Sequence, residues 1–322
     1  MTSSPAGHGS ESQPRPDVSI LIVTYNSADM IERCLDSVAA HTSTASYEIV
    51  IVDNDSPDDT AGVVKAGYPE VVLDATGENL GFGKGMNRAA RQATGEYLLL
   101  LNPDTELRSP AIDNLVAFAR ANPGHGLYGG RTVTPDGELD PVSCLGLPTV
   151  WSTTCFGLGL STIFKGSTLF DPESLGDWQR DSVREVPMIT GCLELIEREA
   201  WDRLGGFDER YWMYCEDTDL SRRARDLGYR PIVTPDAEVM HELGASSGDR
   251  TKMLLIMFRG KATYLRTHFS GWRQAVTMAM LQAGVLLRAV GQAVSAIIGR
   301  KPLAEQHYVN LVKRRKEWTP GY

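Results

Sequence analysis

A chain of 322 residues, 42% hydrophobic and 23% charged, is long enough for one large α/β domain or two smaller ones and apolar enough to bury a full core. Its five cysteines include no C-x-x-C pair, which argues against a disulfide framework or a structural zinc site and for a reducing compartment. The net charge of −9 is uneven: Arg250 to Tyr322 holds 13 Lys and Arg against Glu305 and Glu317, a net of +11, which leaves −20 on the rest. A basic end on an acidic body predicts an anionic partner for that end. With no recognisable nucleic-acid motif there and a high apolar content, nucleic acid is not the expected partner.

Residues 1–16, "MTSSPAGHGSESQPRP", have no apolar h-region and read as a disordered tail rather than a signal peptide. "VSILIVTY" predicts a first strand ending in Thr24-Tyr25-Asn26, and a helix follows over 28–40 with Met30, Ile31, Leu35 and Val38 at helical spacing. "YEIVIVDN" is a second strand that delivers Asp53, followed by a short helix over 58–67 and a third strand over 71–73. "GENLGFGKGMNRAARQATG" is a glycine-rich loop entering a helix, either a flexible connection or a ligand clamp. It is no P-loop, because Gly85 stands where Ser or Thr is required, and strand one lacks the G-x-G-x-x-G of a dinucleotide site.

The fourth strand runs through four leucines, Leu98 to Leu101, into Asn102-Pro103-Asp104. A continuous apolar run suits a central parallel strand covered on both faces, and ligands of open α/β sheets bind just beyond the carboxyl ends of such strands. Asp104 therefore either caps a turn or stands where the sheet does its chemistry. Three polar strand tips in succession favour a nucleotide or phosphate-ester crevice. The alternation of strands and helices predicts a mainly parallel sheet with crossover helices.

From about Arg131 to Val186 the chain is rich in Gly, Ser, Thr and Pro without a clear period, which reads as irregular structure over the sheet. "GGFDERYWMYCEDTDLSRRARDLGY" then brings Glu216, Asp217 and Asp219 to the start of a helix, where acids suit the macrodipole and Arg222 and Arg223 can pair with them. Tyr211, Trp212 and Tyr214 just ahead could hold a sugar ring. His241 is either a structural residue or a ligand for a transition metal. Trp272 to Ile298 is apolar enough to suggest a membrane span of about 20 residues, but Arg273, Arg288 and Gln292 interrupt it. On a helix Arg273, Thr277, Arg288, Gln292 and Ser295 share one face, opposite Val276, Met280, Leu287, Val290, Val294 and Ile297. Such a helix either packs on the body or lies on a membrane, and the basic runs Arg300-Lys301 and Lys313 to Lys316 favour an anionic membrane surface.

The runs "VSILIVTYNSADMIERCLDSV", "EIVIVDNDSPDDT", "NLGFGKGMNRA", "LLLLNPDTEL", "GGFDERYWMYCEDTDLSRRARDLGY" and "VMHELGASSG" together resemble the inverting family-2 glycosyltransferases of GT-A fold, most closely bacterial rhamnosyltransferases of cell-wall and polysaccharide assembly. The resemblance spans about residues 17–250. It implies a Rossmann-like catalytic domain there and a basic, amphipathic helical extension over 251–322. It also implies that Thr24, Tyr25 and Asn26 line the nucleotide pocket, that Asp53 contacts base or ribose, and that Asn79, Gly81, Phe82, Lys84 and Asn87 flank the nucleotide sugar. Asn102-Pro103-Asp104 takes the D-x-D position, with Asp104 and His241 as ligands of a divalent cation, Mg2+ or Mn2+. Glu216-Asp217 matches the E-D motif, with Asp217 as catalytic base, and the three aromatics face the acceptor. The implied donor is a dTDP- or UDP-sugar, and the acceptor is a glycan or a polyprenyl-diphosphate-linked saccharide. The implied place is cytoplasmic, on the inner face of the membrane. A nucleotidyltransferase of related fold and a non-catalytic nucleotide-sugar binder are the competing expectations; the first should show a basic activating loop near the amino terminus, which is not visible, and the intact Glu216-Asp217 pair argues against the second.

Overall fold

The computed structural model describes residues 15–242, 249–297 and 306–322. Most of the expected tail, the end of the "VMHELGASSG" run and Arg300-Lys301 lie outside them. β1 (Val18–Thr24) is buried along its whole length, as β-branched residues covered on both faces should be. α1 (Ala28–His41), β2 (Tyr47–Asp53), α2 (Thr60–Gly67), β3 (Val72–Ala75), α3 (Phe82–Ala90) and β4 (Tyr97–Leu101) follow. α2 starts two residues later than expected because Asp58 stays outside it, accepting the N–H of Thr60 and that of Ala28. The third strand is longer than expected and runs to Ala75, in register with Asp53.

These strands pair in parallel in the order β3-β2-β1-β4. The leucines of β4 split between the two faces. Leu99 and Leu101 join the core under α1 and α4 (Ala111–Ala121), and Leu98 and Leu100 join the core on the other face, under α3 and α8 (Glu216–Asp226). Truncating one of them, as in Leu100→Ala, should cost about 2–5 kcal/mol.

Beyond β4 the sheet becomes mixed. β5 (Thr105–Leu107), β6 (Leu127–Val133), β7 (Leu139–Asp140) and β8 (Cys144–Leu145) lead into the long insertion, and β9 (Arg184–Glu185), β10 (Met188–Ile189), β11 (Leu193–Glu197) and β12 (Ile232–His241) lie after it. β11 runs antiparallel between β4 and β6, and β12 closes the far edge with β5.

The insertion is less irregular than its composition predicts. α5 (Val150–Gly157) and α6 (Leu160–Ile163) sit inside it, and Thr149 and Ser152 cap α5 reciprocally. No hydrophobic period announces α5 because the side it buries is Ser152, Thr153, Cys155 and Gly157, while Trp151 stays exposed.

α7 (Arg198–Leu204) and α8 complete the body, and α9 (Arg250–His268), α10 (Gly271–Ile297), α11 (His307–Lys313) and α12 (Arg315–Trp318) form a layer with its own core, including Phe258, Tyr264, Leu281 and Trp318. That layer is tied to α8 by His268 Nε2 against Asp219 Oδ1 at 2.7 Å. α10 is, by length and composition, apolar enough to cross a membrane. Its orientation is the opposite of a helix with its polar side in water. Thr277 is buried, Arg288 reaches the Phe156 carbonyl and the Thr162 hydroxyl, and Gln292 accepts the Tyr308 N–H, whereas Leu287, Val290, Val294 and Ile297 face outward.

Candidate active site

The parallel strand tips meet as their pairing requires: Thr24 lies in register with Asp53. The Thr24 hydroxyl donates to Asp53 Oδ1 (2.8 Å), and Ser56 donates its hydroxyl to Oδ1 (2.5 Å) and its N–H to Oδ2 (3.0 Å). Thr24 and Asp53 are both buried, so the pair shapes this tip from beneath rather than lining it. Tyr25 and Asn26 are the exposed part of this tip, and Asn26 holds a left-handed φ of 56° while its N–H donates to the Ser56 hydroxyl.

The glycine-rich loop is clamped against the acidic segment. Asn79 Oδ1 accepts the Gly81 N–H, the Asn54 amide donates to the Gly81 carbonyl, and the Phe82 N–H donates to the Trp212 carbonyl at 2.9 Å. Gly81 has φ of 82°, and a Cβ there would stand 2.1 Å from the Trp212 oxygen, so only glycine fits. Lys84 is exposed on the first turn of α3. Asn87, expected beside the donor, is buried with both ends of its amide spent on Phe207, whose carbonyl and N–H it engages at 2.9 Å each. It fastens α3 to the segment carrying the aromatics.

That segment is strained where it reaches the acids. Tyr214 and Cys215 are consecutive non-glycine residues at φ of 67° and 70°, a conformation that costs on the order of 1–3 kcal/mol per residue and gathers at functional sites. Gly260 of α9 braces the bend from behind, since a Cβ there would come within 2.4 Å of the Tyr214 carbonyl. Glu216 is buried, its Oε2 has no hydrogen-bond partner, and burial together with the Asp217 charge pushes its carboxyl well above the usual range. Asp217 stays half-buried; burial raises it as well, against the Thr218 N–H that donates to Oδ1 at 2.6 Å. Of the two, Asp217 can meet a substrate. Asp219 is committed to structure between Arg223 and His268. The aromatic trio does not act as one surface. Tyr211 is fully buried in the core of the helical layer, which rules it out as an acceptor contact, and Trp212 and Tyr214 remain partly open.

At the β4 tip, the Asn102 carbonyl accepts both the N–H and the hydroxyl of Thr105, forming the tight turn that presents Asp104. β12 brings His241 alongside, with Nε2 3.4 Å from Asp104 Oδ1. Asp104 Oδ1 is buried and has no hydrogen-bond partner. On its other side the His241 ring meets Asp140 Oδ2 through Nδ1 at 3.1 Å. Burial by itself would lower the His241 pKa, but Asp104 and Asp140 outweigh it and raise it to about 9. An orphaned carboxylate oxygen facing an imidazole whose far nitrogen is held by a second carboxylate is a donor set that fits a divalent cation. Among the described residues no group of three His, Cys, Asp or Glu side chains is arranged to hold a metal, so this pair would leave further positions to a ligand. Sequence reasoning missed Asp140. It sits 101 residues from His241, inside the stretch without a period, and nothing local marks it.

The family model described as glycosyl transferase family 2 matches residues 19–160, the strand tips and the Asp104 turn included. Residues 19–160 carry a glycosyl transferase family 2 domain. The relatives agree: N-acetylglucosaminyl-diphospho-decaprenol L-rhamnosyltransferase of Mycobacterium tuberculosis is 29% identical over 289 residues, covering 84% of this chain and 91% of that protein. Rhamnosyltransferase WbbL of Escherichia coli is 26% identical over 70% of this chain and 83% of its own length. Among solved structures, a mannosyltransferase from Pyrobaculum calidifontis, in complex with GDP-Man and Mn2+, superposes with a TM-score of 0.55 at 21% identity, over 96% of this chain and 84% of that one. The glycosyltransferase fold here is therefore GT-A.

Proposed function

We propose that this glycosyltransferase is metal-dependent and inverting, and that it moves L-rhamnose from dTDP-rhamnose to a hydroxyl of a polyprenyl-diphosphate-linked saccharide during cell-wall polysaccharide assembly. The observation that carries the reaction type is the half-buried Asp217 at the start of α8, beside a buried Glu216 that is withdrawn from solvent. One reachable carboxylate suits a general base that takes the acceptor hydroxyl's proton as that oxygen attacks the anomeric carbon, and a single displacement inverts the centre. Burial lifts the Asp217 pKa toward the working range of a base at neutral pH. Tyr25, Asn26, Lys84 and Asn102 are the tip residues open to the donor, with Asp53 held in place by Thr24 and Ser56. Asp104 and His241 would hold the divalent cation, Mg2+ or Mn2+, whose charge offsets that of the departing nucleoside diphosphate. The names of the two rhamnosyltransferase relatives support the donor sugar, and that of the mycobacterial one supports a lipid-linked acceptor.

A lipid-linked acceptor and the basic carboxyl-terminal layer support a peripheral position for the enzyme on the cytoplasmic face of the membrane. The test is turnover with purified protein and Mg2+ or Mn2+, offering dTDP-rhamnose and UDP-sugars with a short-chain prenyl-diphospho-N-acetylglucosamine. dTDP release that depends on the acceptor is expected. Donor binding without any release would make the chain a nucleotide-sugar binder, and release from UDP-sugars alone would replace the donor.

A further inference from the structure

Fifteen large apolar side chains are exposed among the described residues, and eleven of them fall on two segments, five in the insertion over 150–170 and six on α10. In the insertion they include Leu158 at 57% and Ile163 at 72%; on α10 they include Val290 and Val294 at 52% each and Ile297 at 84%. The two segments touch. Leu287 of α10 lies over Gly159, where a Cβ would stand 2.8 Å from its Cδ2, and the Arg288 guanidinium stacks on the Phe156 ring at 3.9 Å while bonding Thr162. An apolar helix side belongs against a core or in lipid, and an exposed apolar patch built from two elements marks an interaction face.

The two segments themselves carry charge of one sign. Residues 150–170 and 271–297 carry Lys165, Arg273 and Arg288 and no Asp or Glu, in a chain whose net charge is −9. Lys313 is exposed on α11, which packs against α10, and Arg315 and Lys316 are exposed on α12, which packs against α9. A second copy docking through the same face would set these cations against themselves, whereas an anionic bilayer complements them. Beneath the seam lies a cavity of about 220 Å³ lined by both segments, with Ser152, Phe156 and Ser161 from one and Leu281 from the other, and with Lys261, paired to Glu173, and Asp171 as its charged residues.

We propose that the 150–170 insertion and the outer side of α10 together form the face that docks on an anionic lipid bilayer. This rests on the membrane part of the reading above and adds the insertion as half of the contact. Neither segment suffices alone, because each presents only part of one continuous apolar surface.

The experiment is co-sedimentation with phosphatidylcholine vesicles, with and without phosphatidylglycerol, of the wild type and of two double variants, Leu158→Glu/Ile163→Glu and Val290→Glu/Val294→Glu. All four positions are exposed, so the variants should fold, which thermal unfolding and donor turnover verify independently. Wild-type binding is expected only with phosphatidylglycerol, and each double variant should lose about tenfold or more. If only the α10 variant loses binding and the insertion variant stays within about twofold, the two-segment face is wrong and the membrane reading survives. If the wild type ignores both vesicles, the membrane reading fails too, and acceptor-dependent turnover still stands or falls by itself. A wild-type dimer that either variant dissociates would make a second copy the occupant and overturn the proposal.

Discussion

Asp217 and Asp104 are both acids at the end of a regular element, and the chain supports them in opposite ways. Asp217 is held mostly from its own segment: the Thr218 N–H donates to it, Glu216 precedes it, and the strained Tyr214-Cys215 bend leads straight into it, with the Gly191 N–H as its one distant support. Asp104 is held by contacts from far along the chain, with His241 of β12 beside it and Asp140 of β7 behind His241. A site built locally has its partners in the motif. A site assembled from three elements shows only its anchor in the sequence, and its supports appear with the topology.

The largest expected effect breaks the local side. Asp217→Asn should lower kcat by about a hundredfold or more while leaving nucleotide-sugar affinity in place, read by steady-state kinetics beside calorimetry of the donor. Because burial raises this carboxyl and the base must be ionised, wild-type activity should rise with pH along a limb above the ordinary carboxylate range, and that limb should vanish in the variant. Near-normal turnover in Asp217→Asn would pass the role to Glu216.

The next effect breaks the assembled side. Asp140→Asn leaves Asp104 and His241 in place but weakens the hold on the Nδ1 edge of the imidazole. Loss of such a support typically lowers metal affinity by about 10–100-fold. Titration of a nucleoside diphosphate in the presence of Mn2+ should show that drop, with Asp104→Ala falling further and EDTA abolishing the difference between variants. Affinities that match the wild type, or binding that ignores EDTA, would remove His241 from the cation's ligands and shift the load to cations such as Lys84.

How far the sequence carried the fold follows the same division. In the parallel half β1, β2 and β4 were legible because each is a β-branched or leucine run with a polar tip, and α1 keeps its apolar period on the sheet side. The Leu98 to Leu101 run announced a strand buried on both faces, and the two cores share it as expected. α5 was not legible, because it buries small and polar side chains and exposes Trp151, so the usual signal is inverted. The same inversion on α10 hid which side meets the body. At the site, the residue types of Asp104, Asp217 and His241 were readable, but Asn87 was placed beside a ligand on motif position and Tyr211 on its aromatic ring just ahead of the acids. Their burial against Phe207 and in the helical core is a tertiary fact.

The smallest effect concerns a carboxyl that neither motif contains. Glu194 lies in the middle of β11, paired in register with Leu100 and Gly129, fully buried, with no hydrogen-bond partner on either oxygen. Burial pushes its pKa well above the ordinary value, and the charge of Asp217 adds to that push. In the unfolded chain the same group ionises near about pH 4. As pH rises past that point the unfolded state sheds a proton that the folded state keeps, so folding stability falls across the interval up to the raised folded value. Glu194→Gln keeps the size of the side chain and removes the ionisation. Its melting temperature should match the wild type near about pH 4 and exceed it near about pH 7, with the gap opening between them. Thermal unfolding by circular dichroism across that range checks the sign. A gap that does not change with pH would mean that Glu194 titrates as an ordinary glutamate. Loss of acceptor-dependent turnover in Glu194→Gln at unchanged fold would tie it to Asp217 directly, since the two acids would then share one proton balance under the active site.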